Sequence, residues 1–461
     1  MPPAAESGTT DAPADIRRPN RGSGFLGRIR ARRQALRDAV RTRLWPVPAA
    51  AVVSGIIAGI LLPELDARLD PELPAAVTGY LFGGGADAAR TILGTIATAL
   101  MTVTSLTFSL TLVTLQLASS QYSPRLLRTF SGDPFVQRTL ALFLGTFTYA
   151  LTVLRTVRNA DGGVNEFVPQ FSVTTAYALG VACVLALVLF LGHLVRQIRI
   201  ETMLDQVATE AIATGRRLLR PLDPDDHPAP PPPPPPNPRI TPAAGSGFLV
   251  EIDEQRLLDI AVECDTVLWV QHTVGDTVVA GTPAVLRPDS GADIDHRIAG
   301  ALHHGRERTT TQDLGYGIRQ LTDVVVRALS PGINDPTTAV HGLNSAATVL
   351  RAFADRHCGP VTLVDHHGTA RVHLPRPDLP ELLDTACTQP RYYGAHDPLV
   401  LHGLLSLLGA LGHTCRREGD RAAVREQLSR VGLTIADQEF DDGARRGLEE
   451  HLAVVAATAL R

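Results

Sequence analysis

The chain has 461 residues, room for about two to four domains, and 44 % of them are hydrophobic, so a membrane part and a water-exposed part both fit. Its net charge of −4 gives no global nucleic-acid signature, and with no Lys in the sequence all 43 basic residues are Arg, which makes Arg usage weak evidence for phosphate recognition. The five cysteines, Cys183, Cys264, Cys358, Cys387 and Cys415, have no CxxC spacing and read as free thiols in a reducing compartment rather than as a disulfide framework.

Residues 1–20 offer little to bury and read as a disordered tail. From Arg17 to Arg43 ten Arg and one acid, Asp38, interleave with apolar residues such as Phe25, Leu26, Ile29 and Leu36. Such a segment suits nucleic acid or anionic lipid. Directly before an apolar run, lipid is the expected partner and nucleic acid is not. Residues 44–63 are uncharged until the run ends at Pro63 and include AVVSGIIAGILL, a first membrane span entered through Trp45. No small-residue cleavage pattern follows, so a retained helix is expected. Glu64, Asp66, Asp70, Glu72 and Asp87 then make an acidic loop that belongs outside.

Between Arg90 and Arg125 no formally charged residue occurs, and the apolar core of this stretch, 91–117, exceeds the roughly 20 residues that cross a bilayer core of about 30 Å. Its polar atoms are patterned. Thr91, Thr95, Thr98, Thr102, Ser105 and Ser109, continued by Leu112, Gln116 and Ser119, alternate spacings of four and three and so share one helical face. A second set, Thr104, Thr107, Thr111 and Thr114, lies on the opposite side. Two readings stay open for the stripe: a packing seam, where Ser and Thr bond back to their own helix and let neighbours approach, or the lining of a water-filled path. Past Leu117 the helix projects from the membrane before Pro124, bringing Gln121, Arg125 and Arg128 to a possible inner mouth.

Residues 139–156 form a short third span with Arg155 snorkelling at its end, and 172–195 a fourth, closed by Arg196 and Arg199. Four spans with an Arg-rich amino-terminal tail inside put both termini in the cytoplasm. His193 reads as a snorkelling side chain near the interface, with proton handling the sharper alternative. No Asp, Glu or Arg falls in the middle of a span, which argues against a proton-relay pump.

Residues 196–220 read as a juxtamembrane helix and 221–242 as a stiff linker, because Pro230 to Pro236 are seven consecutive prolines. Residues 243–290 suggest a small α+β unit: GFLVEI and TVLWVQHT as strands, a helix capped by Asp253, and VGDTVVAGTPAVLR resembling a carrier-domain hairpin but without the Lys a carrier requires. Residues 291–461 read as mostly helical, with a helix over Thr310 to Leu329 stopped by Ser330-Pro331-Gly332. Asp335 is placed to cap the next helix with Pro336 in its first position. Asn334, Thr337 and Thr338 at that N-terminus could instead hold an anion, though Asp335 already supplies the negative partner. His303-His304, His366-His367, His296, His341 and His373 follow no metal-binding spacing, so neither metal nor cofactor is expected.

Two stretches, FSLTLVTLQLASSQYSPRLLR and RALSPGINDPTTA, resemble the hallmark segments of a large bacterial family of predicted membrane proteins carrying a domain of unknown function. The resemblance extends from about Leu44 onward and implies an integral plasma-membrane protein with a cytoplasmic carboxy-terminal half; it implies no reaction. The expected fold is therefore a membrane all-α domain of four transmembrane helices joined to a cytoplasmic α+β, mostly helical domain. The leading functional expectation is a homo-oligomeric channel or passive transporter, with the second span lining the path and the cytoplasmic domain as gate or sensor. The alternative is a non-conducting membrane-anchored scaffold or signalling protein. No Walker, GxSxG or dinucleotide motif suggests an enzyme.

Overall fold

A computed structural model describes residues 16–17, 45–69, 81–121, 133–158, 167–197, 199–222, 231–289 and 293–459. The expectations for most of the amino-terminal tail, for Arg125 and Arg128, and for the first part of the proline-rich linker fall outside these residues. The chain divides into two compact units, one within 22–202 and one comprising 203–461 with the short strand at Ile16–Arg17.

The first unit is a bundle of helices α1 (Pro46–Leu69), α2 (Ala86–Gln121), α3 (Pro134–Leu154) and α4 (Gln170–Gln197). Among the described residues three stretches are long and apolar enough to cross a membrane, Pro46–Arg68, Ala86–Gln116 and Gln170–Gln197. Helix α3 is not among them. Gln137, Arg138 and Thr139 in its first turns, with Thr146, Thr148, Tyr149 and Thr152 further on, dilute its apolar content. It touches each of the other three, as α4 also does. Asp133 caps it, accepting from the Phe135 amide at 2.7 Å, and Pro134 occupies the first helical position.

The bundle core is layered. Ala86, Ala89 and Leu93 meet Tyr149, Ala150, Val153, Val173 and Ala176 at one end. Leu100, Phe143 and Cys183 fill the middle, and Val136, Leu140, Phe190 and Leu194 the other end, with Leu110 against them. Rising numbers on α2 and α4 against falling numbers on α3 mark antiparallel packing. Helix α1 runs on through Pro63 and Glu64 to Leu69, so Asp66 stands on a helix instead of in the expected acidic loop. It crosses α3 backbone to backbone: a Cβ on Gly55 would collide with the carbonyl of Gly145 and lie 2.5 Å from Thr148 Oγ1, and one on Gly59 would lie 2.6 Å from Thr152 Cβ. Gly55 and Gly59 form a GxxxG pair, the small-residue spacing that lets membrane helices approach closely.

The second unit begins with helix α5 (Ile200–Leu218) and contains strands β1 (Ile16–Arg17), β2 (Arg239–Pro242) and β3 (Gly247–Ile252), then α6 (Glu254–Glu263), β4 (Leu268–Val270), β5 (Thr277–Val278) and β6 (Pro283–Arg287). Next come α7 (Asp295–Ala299), β7 (Leu302–Gly305), α8 (Tyr316–Ala328), α9 (Pro336–Ala354), β8 (Val361–Val364) and β9 (Ala370–Leu374). Four helices close it: α10 (Leu379–Tyr393), α11 (Pro398–Gly412), α12 (Glu418–Asp437) and α13 (Asp442–Ala459). A six-stranded mixed sheet runs β1-β8-β9-β4-β6-β2, and a three-stranded antiparallel sheet runs β5-β3-β7.

Strands β7, β8 and β9 lie in the region that the sequence presents as mostly helical. The α+β unit expected over 243–290 is thus not self-contained: β4 pairs in parallel with β9, Leu268 opposite Val372. Helix α8 starts at Tyr316, six residues later than the apolar periodicity suggests. Arg308 grips Asp313 through two hydrogen bonds of 2.8 and 2.9 Å, and Asp313 also accepts from the Gly315 amide, which holds the approach to the helix as a turn. Helix α5 lays Met203, Leu204, Val207 and Ala211 into the helical layer, with Ala211 against Gly317 of α8 and Gly215 against Phe353 of α9.

Candidate functional site

Helix α2 carries two polar faces with opposite fates. Its buried face is Ala86, Ala89, Leu93, Ala97 and Leu100, then Thr107, Thr111 and Thr114. Every member of the predicted stripe, Thr91, Thr95, Thr98, Thr102, Ser105, Ser109 and Gln116, is exposed on the outside of its own bundle. Met101, Leu106, Phe108 and Val113 flank the stripe and are likewise exposed. Among the described residues nothing packs on the stripe, and α3 and α4 lie against the other side of α2.

The stripe hydroxyls are not idle. Thr91 donates to the Asp87 carbonyl at 2.8 Å, Thr95 to Thr91 at 2.7 Å and Thr102 to Thr98 at 3.2 Å, the back-bonding that lets Thr sit in an apolar surrounding. On the buried face Thr111 and Thr114 do the same, to Thr107 and Leu110. Among the described residues the buried hydroxyls of Thr104 and Thr107 meet no hydrogen-bond partner. Gln121 is the last residue of α2, so the helix does continue well beyond Leu117.

Two polar clusters clamp the ends of the bundle, and neither is visible as a sequence motif. At one end the Asp66 carboxylate, 6 % exposed, accepts from the Ser172 amide at 2.9 Å and the Ser172 hydroxyl at 2.6 Å. A residue of α1 thereby caps α4, satisfying amides that a helix N-terminus leaves open. Tyr149 of α3 donates to the Ser172 carbonyl at 3.0 Å, tying three helices together. At the other end Asp133, also 6 % exposed, takes the Phe135 amide, His193 Nε2 at 2.6 Å and the Gln197 side-chain amide. The Phe135 ring lies tilted against His193, centroids 4.5 Å apart. His193, read from the sequence as snorkelling, is instead the partner of a buried carboxylate.

The resemblance noted above implies an integral membrane protein, and the three membrane-length apolar helices agree with that. The pattern of the family described as predicted membrane protein (DUF2254) matches residues 41–410. The chain belongs to this family. Its relatives include an uncharacterized protein of Mycobacterium bovis and uncharacterized proteins of Mycobacterium tuberculosis strains H37Rv and CDC 1551. Each is 33 % identical over 426 residues, covering 90 % of this chain and 80 % of the relative. No solved structure matches the chain.

The second hallmark segment, RALSPGINDPTTA, runs from the end of α8 to the first turn of α9, with residues 331–334 as the exposed turn between them. Asn334 takes φ +49°, a conformation Asn tolerates better than most residues, and its amide donates to the Ser330 carbonyl at 2.9 Å. Asp335 accepts from the Thr338 amide at 3.0 Å, with Pro336 in the first turn. The Thr338 hydroxyl and amide hold the Asp335 carboxyl below the usual carboxylate value. The Asp335 carboxylate itself occupies the place an anion would take, and Thr337 is exposed beside it. Asp335→Ala is expected to cost about 1 kcal/mol in denaturant unfolding at pH 7, with the difference shrinking as pH falls through the carboxylate range and the cap is lost in both forms.

Among the described residues no three His, Cys, Asp or Glu side chains converge as a metal site. His303 and His304 are neighbours on β7 and point to opposite faces; His366 and His367 lie tilted against each other, centroids 3.8 Å apart, in the β8–β9 turn. Burial pushes the Cys387 and Cys415 thiols up to about 12, far from the thiolate a nucleophile needs.

Proposed function

We propose that this protein is a homo-oligomeric channel or passive transporter of the bacterial plasma membrane, in which several copies of α2 turn their hydroxyl stripes toward a shared axis. One observation carries the reading: among the described residues the stripe is exposed on the outside of its own bundle, while the opposite face of α2 is the one buried against α3 and α4. A row of hydroxyls and one carboxamide gains nothing from hydrocarbon, whereas it can replace hydration for a solute that crosses without fixed charge in the path.

In this reading α3 is the fourth span. Its 21 residues reach about 32 Å at 1.5 Å each, and its lipid contact is reduced by the three helices around it. Arg17 to Arg43, Arg125, Arg128, Arg196 and Arg199 then share the cytoplasmic side, with both termini and the α/β unit, which serves as gate or sensor. The partners are lipid and further copies of the chain, with no nucleic acid and no catalysed reaction.

The back-bonds of Thr91, Thr95 and Thr102 favour a second reading, a non-conducting scaffold in which the stripes of adjacent copies meet as a dry seam. Single cysteines at Thr98, Thr102, Ser105 and Ser109, and at the off-stripe positions Val103 and Leu106, in a chain lacking native cysteines, separate the two. Leu106 is as exposed as the stripe, so it controls for simple surface position. A small charged thiol reagent added from either side is expected to label the four stripe positions several times faster than Val103 or Leu106. Disulfide cross-linking between copies at Ser105→Cys without labelling in water replaces the channel by the scaffold, and neither result removes both readings.

A further inference from the structure

The six-stranded sheet has one face on the apolar core, where Leu268, Val270, Val285, Val372 and Leu374 are buried. Its second face carries a cross-strand row set by register. Thr362 of β8 stands opposite His373 of β9, His373 opposite Trp269 of β4, Trp269 opposite Leu286 of β6, and Leu286 opposite Ile240 of β2. The Trp269 and His373 rings lie 5.2 Å apart, and His373 Nδ1 bonds Thr362 Oγ1 at 2.9 Å, which fixes the imidazole beside the indole. His373 is buried, Trp269 and Leu286 are half-buried and Ile240 is 49 % exposed, so the row grades from aromatic to aliphatic and opens to solvent toward β2.

One segment lies on this row. The Trp269 indole N–H donates at 2.8 Å to the carbonyl of Pro232, inside the proline run that leads into β2. Pro231 and Pro235 are half-buried while Pro232, Pro233 and Pro234 stay exposed, so the run rests on the sheet without sinking into it. Proline has no backbone N–H and cannot join the β-ladder. What it offers is a pre-extended helix of three residues per turn with unpaired carbonyls and flat ring faces. An aromatic ledge with one tryptophan donor aimed at a proline carbonyl is the chemistry by which polyproline II segments are bound in general.

We propose that the Trp269–His373 ledge is a binding site for polyproline II chains, occupied in cis by Pro231–Pro236. A strap held through a hydrogen bond to its backbone carbonyl can be exchanged for another chain of the same conformation, because that bond does not depend on side chains that only this strap has. Tethering favours the strap: a short linker holds it at an effective concentration on the order of millimolar, so an outside ligand competes only when the strap is weakened or the ligand is abundant.

The sequence has two tryptophans, so Trp45→Phe leaves Trp269 as the sole indole fluorophore of the full chain in detergent. The probe is a decaproline peptide. Combining P231G, P232S, P233G, P234S, P235G and P236S is expected to shift Trp269 emission to longer wavelength, and decaproline to reverse that shift saturably. With the native strap, the peptide should need at least a tenfold higher concentration. Adding Trp269→Phe to the strap variant keeps a ring but removes the donor, and peptide affinity by calorimetry should fall at least tenfold. Pro235→Gly alone, a smaller perturbation, should lower the peptide concentration needed by the otherwise native chain. The proposal is overturned if Trp269 emission is unchanged in the strap variant, if decaproline does not reverse the shift in a chain with parental circular dichroism, or if Trp269→Phe binds the peptide as well as its parent. An unchanged requirement for peptide in Pro235→Gly overturns it equally.

Discussion

Gly55→Leu is expected to abolish the docking of α1 and with it the folded yield of the membrane unit. The Cβ alone would meet the Gly145 carbonyl, and backbone cannot give way as a side chain can. Thr148 Oγ1, 2.5 Å from the same point, already bonds the carbonyls of Leu144 and Gly145, so moving it would leave its own interactions unmade. A Leu would add further atoms beyond the Cβ at a site with no space, and overpacking of this kind costs about 3 kcal/mol or more, a large share of a typical unfolding free energy. Ile57→Leu, one turn-face away and 51 % exposed, is the control and should behave like the parent. The measurement is thermal unfolding of both variants in the same detergent. Equal midpoints for Gly55→Leu and the parent would show that α1 does not cross α3 through these glycines. Gly59→Leu, facing Thr152 Cβ at 2.6 Å, should repeat the loss.

The same glycines show where a sequence stops being legible. GIIAG is present in the first apolar run, but an apolar run is read for length and charge, and the partner glycine, Gly145, is ninety residues away. Periodicity works because it is local: the spacing of Thr91, Thr95, Thr98 and Thr102 puts them on one face whatever surrounds the helix. Which way that face points is a tertiary fact, decided by Ala89, Leu93 and Leu100 having partners on α3 and α4. Asp133 and His193 show the same limit. Each is unremarkable alone, and their pairing at 2.6 Å follows from α3 and α4 packing antiparallel.

In the second unit the local signals were the caps and turns. Asp253 before α6, with its carboxylate on the Arg256 amide, and Asp335 before α9 can both be read from residue type and spacing. The β8–β9 hairpin could have been read too: VTLV and ARVHL flank a turn in which Asp365 binds the His367 and Thr369 amides and Gly368 takes φ +85°. His366-His367 sit in this turn, where the local signal is carried by Asp365 and Gly368. The parallel pairing of β4 with β9 had no local signal at all, and with it the ledge of Trp269 and His373 was out of reach.

Asp420→Asn is expected to stabilise the second unit at neutral and alkaline pH and to leave it unchanged in acid. Asp420, in the first turn of α12, is 8 % exposed. Burial raises its pKa from 3.8 to about 6; the Arg417 guanidinium pulls it down, and the neighbouring Asp378 carboxylate adds to the rise. A helix N-terminus ordinarily favours a carboxylate, so desolvation outweighs both Arg417 and the helix dipole here. The sign follows from the direction of the shift. The folded chain holds this proton more tightly than the unfolded chain, so the favourable contribution is complete below about pH 4 and is lost as pH rises through about 6. Asn keeps the shape of the neutral acid at every pH. Above pH 7 the variant should therefore exceed the parent by an amount on the order of 1–3 kcal/mol, and at pH 4 the two should coincide. Thermal unfolding of parent and variant from pH 4 to 8 gives the test, read as the difference between their midpoints. A difference that is constant with pH would assign the effect to packing or capping, and a parent that gains on the variant as pH rises would mean that Asp420 is held in the folded chain as a carboxylate by Arg417.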